Sequence, residues 1–391
     1  MEREEKFALA ADIMERFAEL TGLSPEGRSP KRYLWTDAYG VCNFLGLYLE
    51  TKDDRYRDLA LKLVDQVHNV LGRHREGGER TGWISGLPDG EGRAHPTAGG
   101  LRIGKTLDER GPTEPYDERK EWERDGQYYH YLTKWMHALN RVSAVTADFT
   151  YNRWAMELAK AAHAGFVYTD EGTGLKRMYW KMSTDLSCPL VSSMGHHDPL
   201  DGLITFIQLQ AAGQQDPERP QSLDLSEEIS EIAGICEGRD WQTDDLLGLG
   251  GLLSDASRAA QLFIKGVLDG CDTLRVILDA SLPGLRYPGR ENFLHAPARF
   301  RLAFRELGLS IGLHALEGLA ELIRQNRPVF EDDQDIAILL KTLWKYLPIG
   351  EKIELFWIDP ENQRSPSWKE HRDINMVMLA TSLAPDGFLT L

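Results

Sequence analysis

At 391 residues the chain exceeds the usual ceiling for one simple hydrophobic core, which implies two domains or one large closed architecture. Its 42% hydrophobic and 27% charged residues are those of a folded chain, which excludes disorder over most of its length. A formal charge of −16, spread along the chain, lacks the basic footprint that nucleic acid or an anionic membrane requires and leaves a neutral or cationic small ligand.

The first predicted helix covers residues 4–21, where Phe7, Ala10, Ile13, Met14, Phe17 and Ala18 form a stripe that stops at Gly22. A second, from Asp37 to Glu50, has almost no polar face, as an enclosed helix needs. The third, Asp54 to Arg73, returns to a one-sided stripe through Tyr56, Ala60, Leu63, Val64 and Val67. Pairs of the same kind follow at 125–145 with 149–167, 199–212 with 223–236, and 244–254 with 256–280. Helical patterns at 298–325, 332–346 and 368–383 bring the total to about twelve, with almost no alternating strand.

One repeat is explicit. Thr51, Asp53, Tyr56 and Ala60 match Thr146, Asp148, Tyr151 and Ala155, and in each copy the Asp can cap the second helix of a hairpin. Enclosed-to-outer connections are short, as at 51–53 and 146–148, while several outer-to-enclosed connections are long: 74–124, 168–197, 282–297 and 348–367. In a ring of hairpins the long connections emerge on one face, beside the starts of the enclosed helices, and long loops in a compact protein usually serve function. The spacing predicts one all-α toroidal domain over 1–391.

Enclosed helices alternating with outer ones, with elaborate loops on one side, resemble the six-hairpin glycosidase-like (α/α)6 toroids. These include several glycoside hydrolase families and the N-acylglucosamine 2-epimerase group. The resemblance covers the whole chain in architecture and implies a sugar ligand, but no family-defining catalytic motif matches residue by residue.

Polar and aromatic residues crowd the helix starts. Trp35-Thr36-Asp37 opens the first enclosed helix, with Asp37 as cap or ligand group and Trp35 as a flat face for a sugar ring. Residues 99–106 meet the G-x-x-x-x-G-K-[ST] spacing but lack the preceding strand and following helix of a phosphate loop, leaving Arg102 and Lys105 as groups for an anionic moiety. Asp125, Tyr128 and His130 make an unusually polar start to the next enclosed helix. Arg177 to Met182, containing Trp180 and Lys181, leads into His196-His197-Asp198-Pro199-Leu200-Asp201, where Pro199 suits a first turn with Asp198 as its cap. The two adjacent histidines diverge too much to hold one metal together. Trp241 and Asp244-Asp245 open another enclosed helix, and Arg290 to His295 and Trp368 to Asp373 flank later ones.

Hydrolysis of a glycoside needs two carboxyl groups across the scissile bond, and the expected pair is Asp125 and Asp198, with Asp37, Asp201 and Asp245 in reserve. Trp35, Tyr128, Trp180 and Trp241 then supply stacking, and Arg102, Lys181 and His197 bind hydroxyls or a carboxylate. The alternative is a sugar epimerase or isomerase with His130, His197, His295 or His371 as acid and base. A non-catalytic carbohydrate-binding toroid is the third reading. No cofactor or metal is expected. The four cysteines have no zinc or redox spacing, and neither a signal peptide nor an apolar run of membrane length stands out, which points to the cytoplasm.

Overall fold

The computed structural model describes every residue except 28, 79, 112, 287–292 and 331–333, so Arg290, Glu291 and Asn292 lie outside the described residues. The principal helices are α1 (Arg3–Leu20), α2 (Leu34–Thr51), α3 (Asp54–Leu71), α4 (Tyr129–Thr146), α5 (Phe149–Phe166), α6 (Asp198–Gly213) and α7 (Ser226–Cys236), then α8 (Leu246–Ile264), α9 (Asp272–Arg286), α10 (Ala303–Gln325), α11 (Gln334–Leu343), α12 (Leu347–Ile358) and α13 (Arg372–Leu383). Among the described residues none of these is long and apolar enough to cross a membrane. The chain packs as two compact units, one of residues 21–45 and 54–237, the other of residues 1–20, 46–53 and 238–391.

In the unit of residues 21–45 and 54–237, α4 is buried continuously from Leu132 to Ser143 and packs on α3, α5 and α6, while α6 also carries α7. Helix α3 keeps the one-sided stripe its sequence predicts, with Tyr56, Ala60, Leu63, Val64, Val67 and Leu71 buried. Strands β1 (Gln127–Tyr128), β4 (Lys181–Met182) and β5 (Pro189–Val191) form a small antiparallel sheet, and β2 (Val167–Thr169) pairs with β3 (Lys176–Met178). These short strands organise the predicted loop at 168–197.

The repeated T-x-D segments fold as the same corner. Thr146 Oγ1 donates to Val142 O (2.8 Å) and accepts from Asp148 N (3.3 Å), as Thr51 Oγ1 does with Leu47 O (2.7 Å) and Asp53 N (3.2 Å). The intervening Ala147 and Lys52 both take left-handed φ values, 58° and 59°, which turn the chain without a longer loop. Asp148 Oδ1 then caps α5 through Thr150 N at 2.9 Å.

In the other unit, α8 and α10 meet backbone to backbone. A methyl at Gly250 would lie 1.9 Å from Gly308 O, and one at Gly312 only 2.6 Å from Gly250 Cα, so side chains at either position would force the helices apart. Two expected boundaries shift here. The helix predicted for 256–280 is two: Asp255 and Arg258 pair inside a continuous α8, and the break falls at 265–271, where Gly266 and Gly270 have positive φ. The segment 348–367, read as a loop, contains α12, whose buried Gly350, Ile353, Glu354 and Trp357 keep a helical period.

Glu354 ties four helices. Its carboxylate accepts from Lys6 Nζ (2.6 Å) on α1, Ser382 Oγ (2.7 Å) on α13 and His314 Nε2 (2.6 Å) on α10. Burial by itself would depress the His314 imidazole, but its bonds to Glu317 and Glu354 outweigh that and lift it from 6.5 to about 9. A raised folded-state value means that this stabilisation is complete below pH 6.5 and is lost as pH rises through about 9. The urea midpoint of the native chain is therefore expected to fall between those pH values more steeply than that of His314→Gln. Parallel curves would show that His314 does not gain its proton from this network.

Candidate active site

The entry to α2 is fixed before its first residue. Leu34 N donates to Ile103 O (3.0 Å), and Tyr33 N donates to Asp37 Oδ2 (2.8 Å), with Arg32 Nη1 3.4 Å from the other oxygen. The helix thus starts three residues earlier than its apolar run indicates, and Asp37 is a buried tie within the first turn rather than its cap. The same shift carries Trp35 into that turn. It is 7% exposed, packs on Tyr39 and Tyr131, and its Nε1 has no partner among the described residues.

The start of α4 also moves, to Tyr129, because Gln127 and Tyr128 pair as β1 with β4. That pairing sets Trp180, just before β4, against the Tyr128 ring (centroids 5.2 Å apart). His130, in the first turn of α4, lies parallel to Trp180 at 6.2 Å and 13°, with Tyr128 at 5.3 Å, Tyr131 at 4.9 Å and Trp35 at 5.9 Å around it. Trp122, edge-on to Trp180 and 45% exposed, extends the aromatic wall toward solvent.

His130 Nδ1 lies 3.8 Å from Asp198 Oδ1. Asp198 is the first residue of α6, and the cap position belongs to His197, whose side chain makes no capping bond. The expected capping role of Asp198 is therefore absent. Both His130 Nδ1 and Asp198 Oδ2 are buried without a hydrogen-bond partner among the described residues, an arrangement buried polar atoms rarely keep unless a ligand or catalysis uses it. Tyr129 Oη is a third such atom. Burial, then Asp201 and Asp198, push its hydroxyl well up, so it stays protonated, and Gly202 leaves it room because a methyl there would lie 2.3 Å away.

Asp201 sits one turn further along α6. It accepts from Thr133 Oγ1 and from Lys134 Nζ (2.7 Å), which joins α4 to α6 beneath the His130–Asp198 pair. His197 is half-buried, its ring 4.5 Å from that of the exposed His196. Tyr33, Tyr131 and Trp122 complete the aromatic group, and the local signal for Tyr131 is the unbroken run Tyr128 to Tyr131.

The remaining predicted residues of this unit lie in two knots, one around Asp125 and one around Lys181, whose ammonium is 5.3 Å from the centre of the Tyr128 ring. Asp125 is 1% exposed, and both of its oxygens are occupied: Oδ1 by Gly104 N (3.0 Å) and Lys105 N (3.4 Å), Oδ2 by Arg102 Nη1 (2.6 Å) and Arg75 (3.1 Å). Arg102 also donates to Arg73 O and Val70 O at 2.7 Å each. These bonds give residues 102–105 a fixed course and leave Arg102 turned into the protein. Lys181 is fully buried, and its ammonium donates to Glu121 O (2.7 Å), Glu121 Oε1 (2.8 Å) and Arg124 O (2.9 Å), which uses all three protons.

In the other unit, Asp245 caps α8 through Gly248 N (2.8 Å) and pairs with Arg305. Trp241 is buried, His295 is exposed, and His371 stands at the start of α13 with its ring edge-on to Phe304 at 5.4 Å. No three His, Cys, Asp or Glu side chains among the described residues are grouped as a metal ion would require.

The alternation of enclosed and outer helices is that of the all-α (α/α)6 toroids, the six-hairpin class its sequence resembles. Over 98% of its length the chain matches 97% of the structure of cellobiose 2-epimerase from Spirochaeta thermophila DSM 6192, with a TM-score of 0.50 and 12% identity. At that identity the likeness establishes the fold alone. Cellobiose 2-epimerase from Bacillus thermoamylovorans B4167 matches at a TM-score of 0.45, with 9% identity over 89% of this chain and 87% of that one. A sugar epimerase from a ruminal bacterium also matches at 0.45, with 12% identity over 90% and 87% of the two chains. No family model and no curated protein matches the sequence.

Proposed function

We propose that the chain is a sugar epimerase in which His130 moves the proton next to a sugar carbonyl, oriented by Asp198. The observation that carries this reading is the pairing of an imidazole and a carboxylate at 3.8 Å, each with a buried atom left without a partner, inside a group of aromatic rings. Catalytic hydrogen bonds are often long before substrate arrives, and this one needs a shift of about 1 Å to close. Asp198 facing Nδ1 leaves Nε2 of the same ring for the substrate.

Once the sugar ring has opened, Nε2 takes the proton from C2, and the C2–H electron pair passes into the C1–C2 bond to give an enediolate. Rotation about C2–C3 and return of a proton to the opposite face invert C2 with no bond to the neighbouring sugar broken. The indole N–H of Trp35 and the hydroxyl of Tyr129 are buried donors suited to the oxygen on which charge develops. The aromatic faces hold the ring and keep water from the intermediate.

Hydrolysis, the main expectation from sequence, needs a second free carboxyl group. Asp125 is fully engaged by two arginines and two backbone amides, and Asp201 by Thr133 and Lys134, so of these three expected carboxylates Asp198 is the one left without such bonds. The test is incubation with a reducing disaccharide of glucose in deuterated water. Deuterium is expected at C2, together with the C2 epimer and an intact glycosidic bond. Release of free glucose without exchange would return the hydrolase reading.

A further inference from the structure

A separate cleft lies away from this site. Between the half-exposed helices α3 and α5 is a cleft of about 270 Å³, and it shares no residue with the aromatic group around His130. Its walls include Trp83, Tyr151 and Trp154, and the segment carrying Arg93 and Pro96 crosses one end. That segment is strapped down: Trp154 Nε1 donates to Ala94 O (2.7 Å), and Thr97 Oγ1 donates to Trp154 O (2.7 Å). The cleft is thus part of the packed structure.

At its base is His68, 3% exposed. Trp135 Nε1 donates to its Nε2 (3.2 Å), and burial drives the imidazole down to about 3, so the ring is neutral and carries its proton on Nδ1. The same ring stands edge-on to Trp154, centroids 5.1 Å apart, so it belongs to the aromatic lining of the cleft. The rim adds polar groups of both kinds. Asn69 Nδ2 donates to Asp65 Oδ1 (3.0 Å), which leaves Asp65 Oδ2 and Asn69 Oδ1 as acceptors, and Arg93 brings a guanidinium whose charge is met by Asp89 (3.1 Å).

From this we infer that the cleft is a binding site for a single neutral sugar ring. A cation would want carboxylates without an arginine, and an anion the reverse. Donors and acceptors interleaved around aromatic walls suit hydroxyl groups, each of which gives one hydrogen bond and accepts others. The volume admits one ring, below the range of larger ligands. The inference does not rest on the epimerase reading, since no residue is common to the two.

The test is ¹⁹F NMR of the full chain labelled with 5-fluorotryptophan, the Trp83 and Trp154 resonances being assigned by Trp→Phe substitution. D-Glucose is expected to shift both resonances saturably. In the double variant Asp65→Ala/Arg93→Ala, whose side chains are exposed, the same titration is expected to be at least about tenfold weaker. Resonances that ignore glucose, a titration unchanged by the double substitution, or movement with tetramethylammonium in place of glucose would each overturn the proposal. His130→Ala is expected to leave this titration unaltered, so the result is independent of turnover.

Discussion

In His130→Ala, deuterium uptake at C2 of a reducing sugar is expected to fall by about 10² to 10⁴, the range over which a positioned general base contributes. Asp198→Asn keeps the shape of the side chain and removes its charge. With no carboxylate to hold the ring and stabilise the imidazolium, kcat is expected to fall at least about tenfold, with KM little changed. The two losses should not add, because both variants disable one proton-transfer unit. Among the described residues His130 Nδ1 and Asp198 Oδ2 have no hydrogen-bond partner, so neither substitution breaks a hydrogen bond at those atoms. A urea midpoint close to that of the native protein is therefore expected for Asp198→Asn, which separates a chemical role from a structural one, whereas His130→Ala also loses its ring contacts with Tyr128, Tyr131 and Trp180. Full exchange activity in either variant would remove the pair from the mechanism.

The contrast between Asp198 and the other candidates shows what the sequence could reveal. Most of the helices, the alternation of enclosed and outer faces and the two matching corners were legible because they follow from local periodicity and from Thr–Asp corner chemistry. Helix starts were less so. Leu34 and Tyr129 differ from the predicted starts because tertiary bonds decide them: Leu34 N reaches Ile103 O, some seventy residues away, and Tyr128 is held in a strand by Lys181. Those shifts of three and four residues moved Asp37 and Asp125 out of capping positions and set Trp35 and His130 into first turns. Sequence spacing brought forward five aspartates at helix starts, Asp125 and Asp198 as the expected pair with Asp37, Asp201 and Asp245 in reserve. Only the bonds each one makes distinguish a carboxylate that is occupied from one that is not, and no local pattern encodes those partners.

Asp125→Asn is expected to cost stability before it costs chemistry. The substitution leaves Arg102, 6% exposed, with its carbonyl partners Arg73 and Val70 but with no buried counter-charge. Breaking a buried pair from one side typically costs about 3–5 kcal/mol, because the surviving charge stays desolvated. The amide oxygen that remains can still accept from Gly104 N and Lys105 N, but the new NH2 then faces Arg102 and Arg75 as donor against donor. A large drop in urea midpoint is the expected result, with part of it recovered in Asp125→Asn/Arg102→Met, where neither charge remains. Turnover by the fraction still folded should stay within about an order of magnitude of the native rate, since no bond of Asp125 points to the aromatic group. Lost turnover with an unmoved midpoint would instead make Asp125 a reacting carboxylate and restore its pairing with Asp198 for hydrolysis. The two substitutions at Asp125 and Asp198 thus make opposite demands on the same pair of measurements.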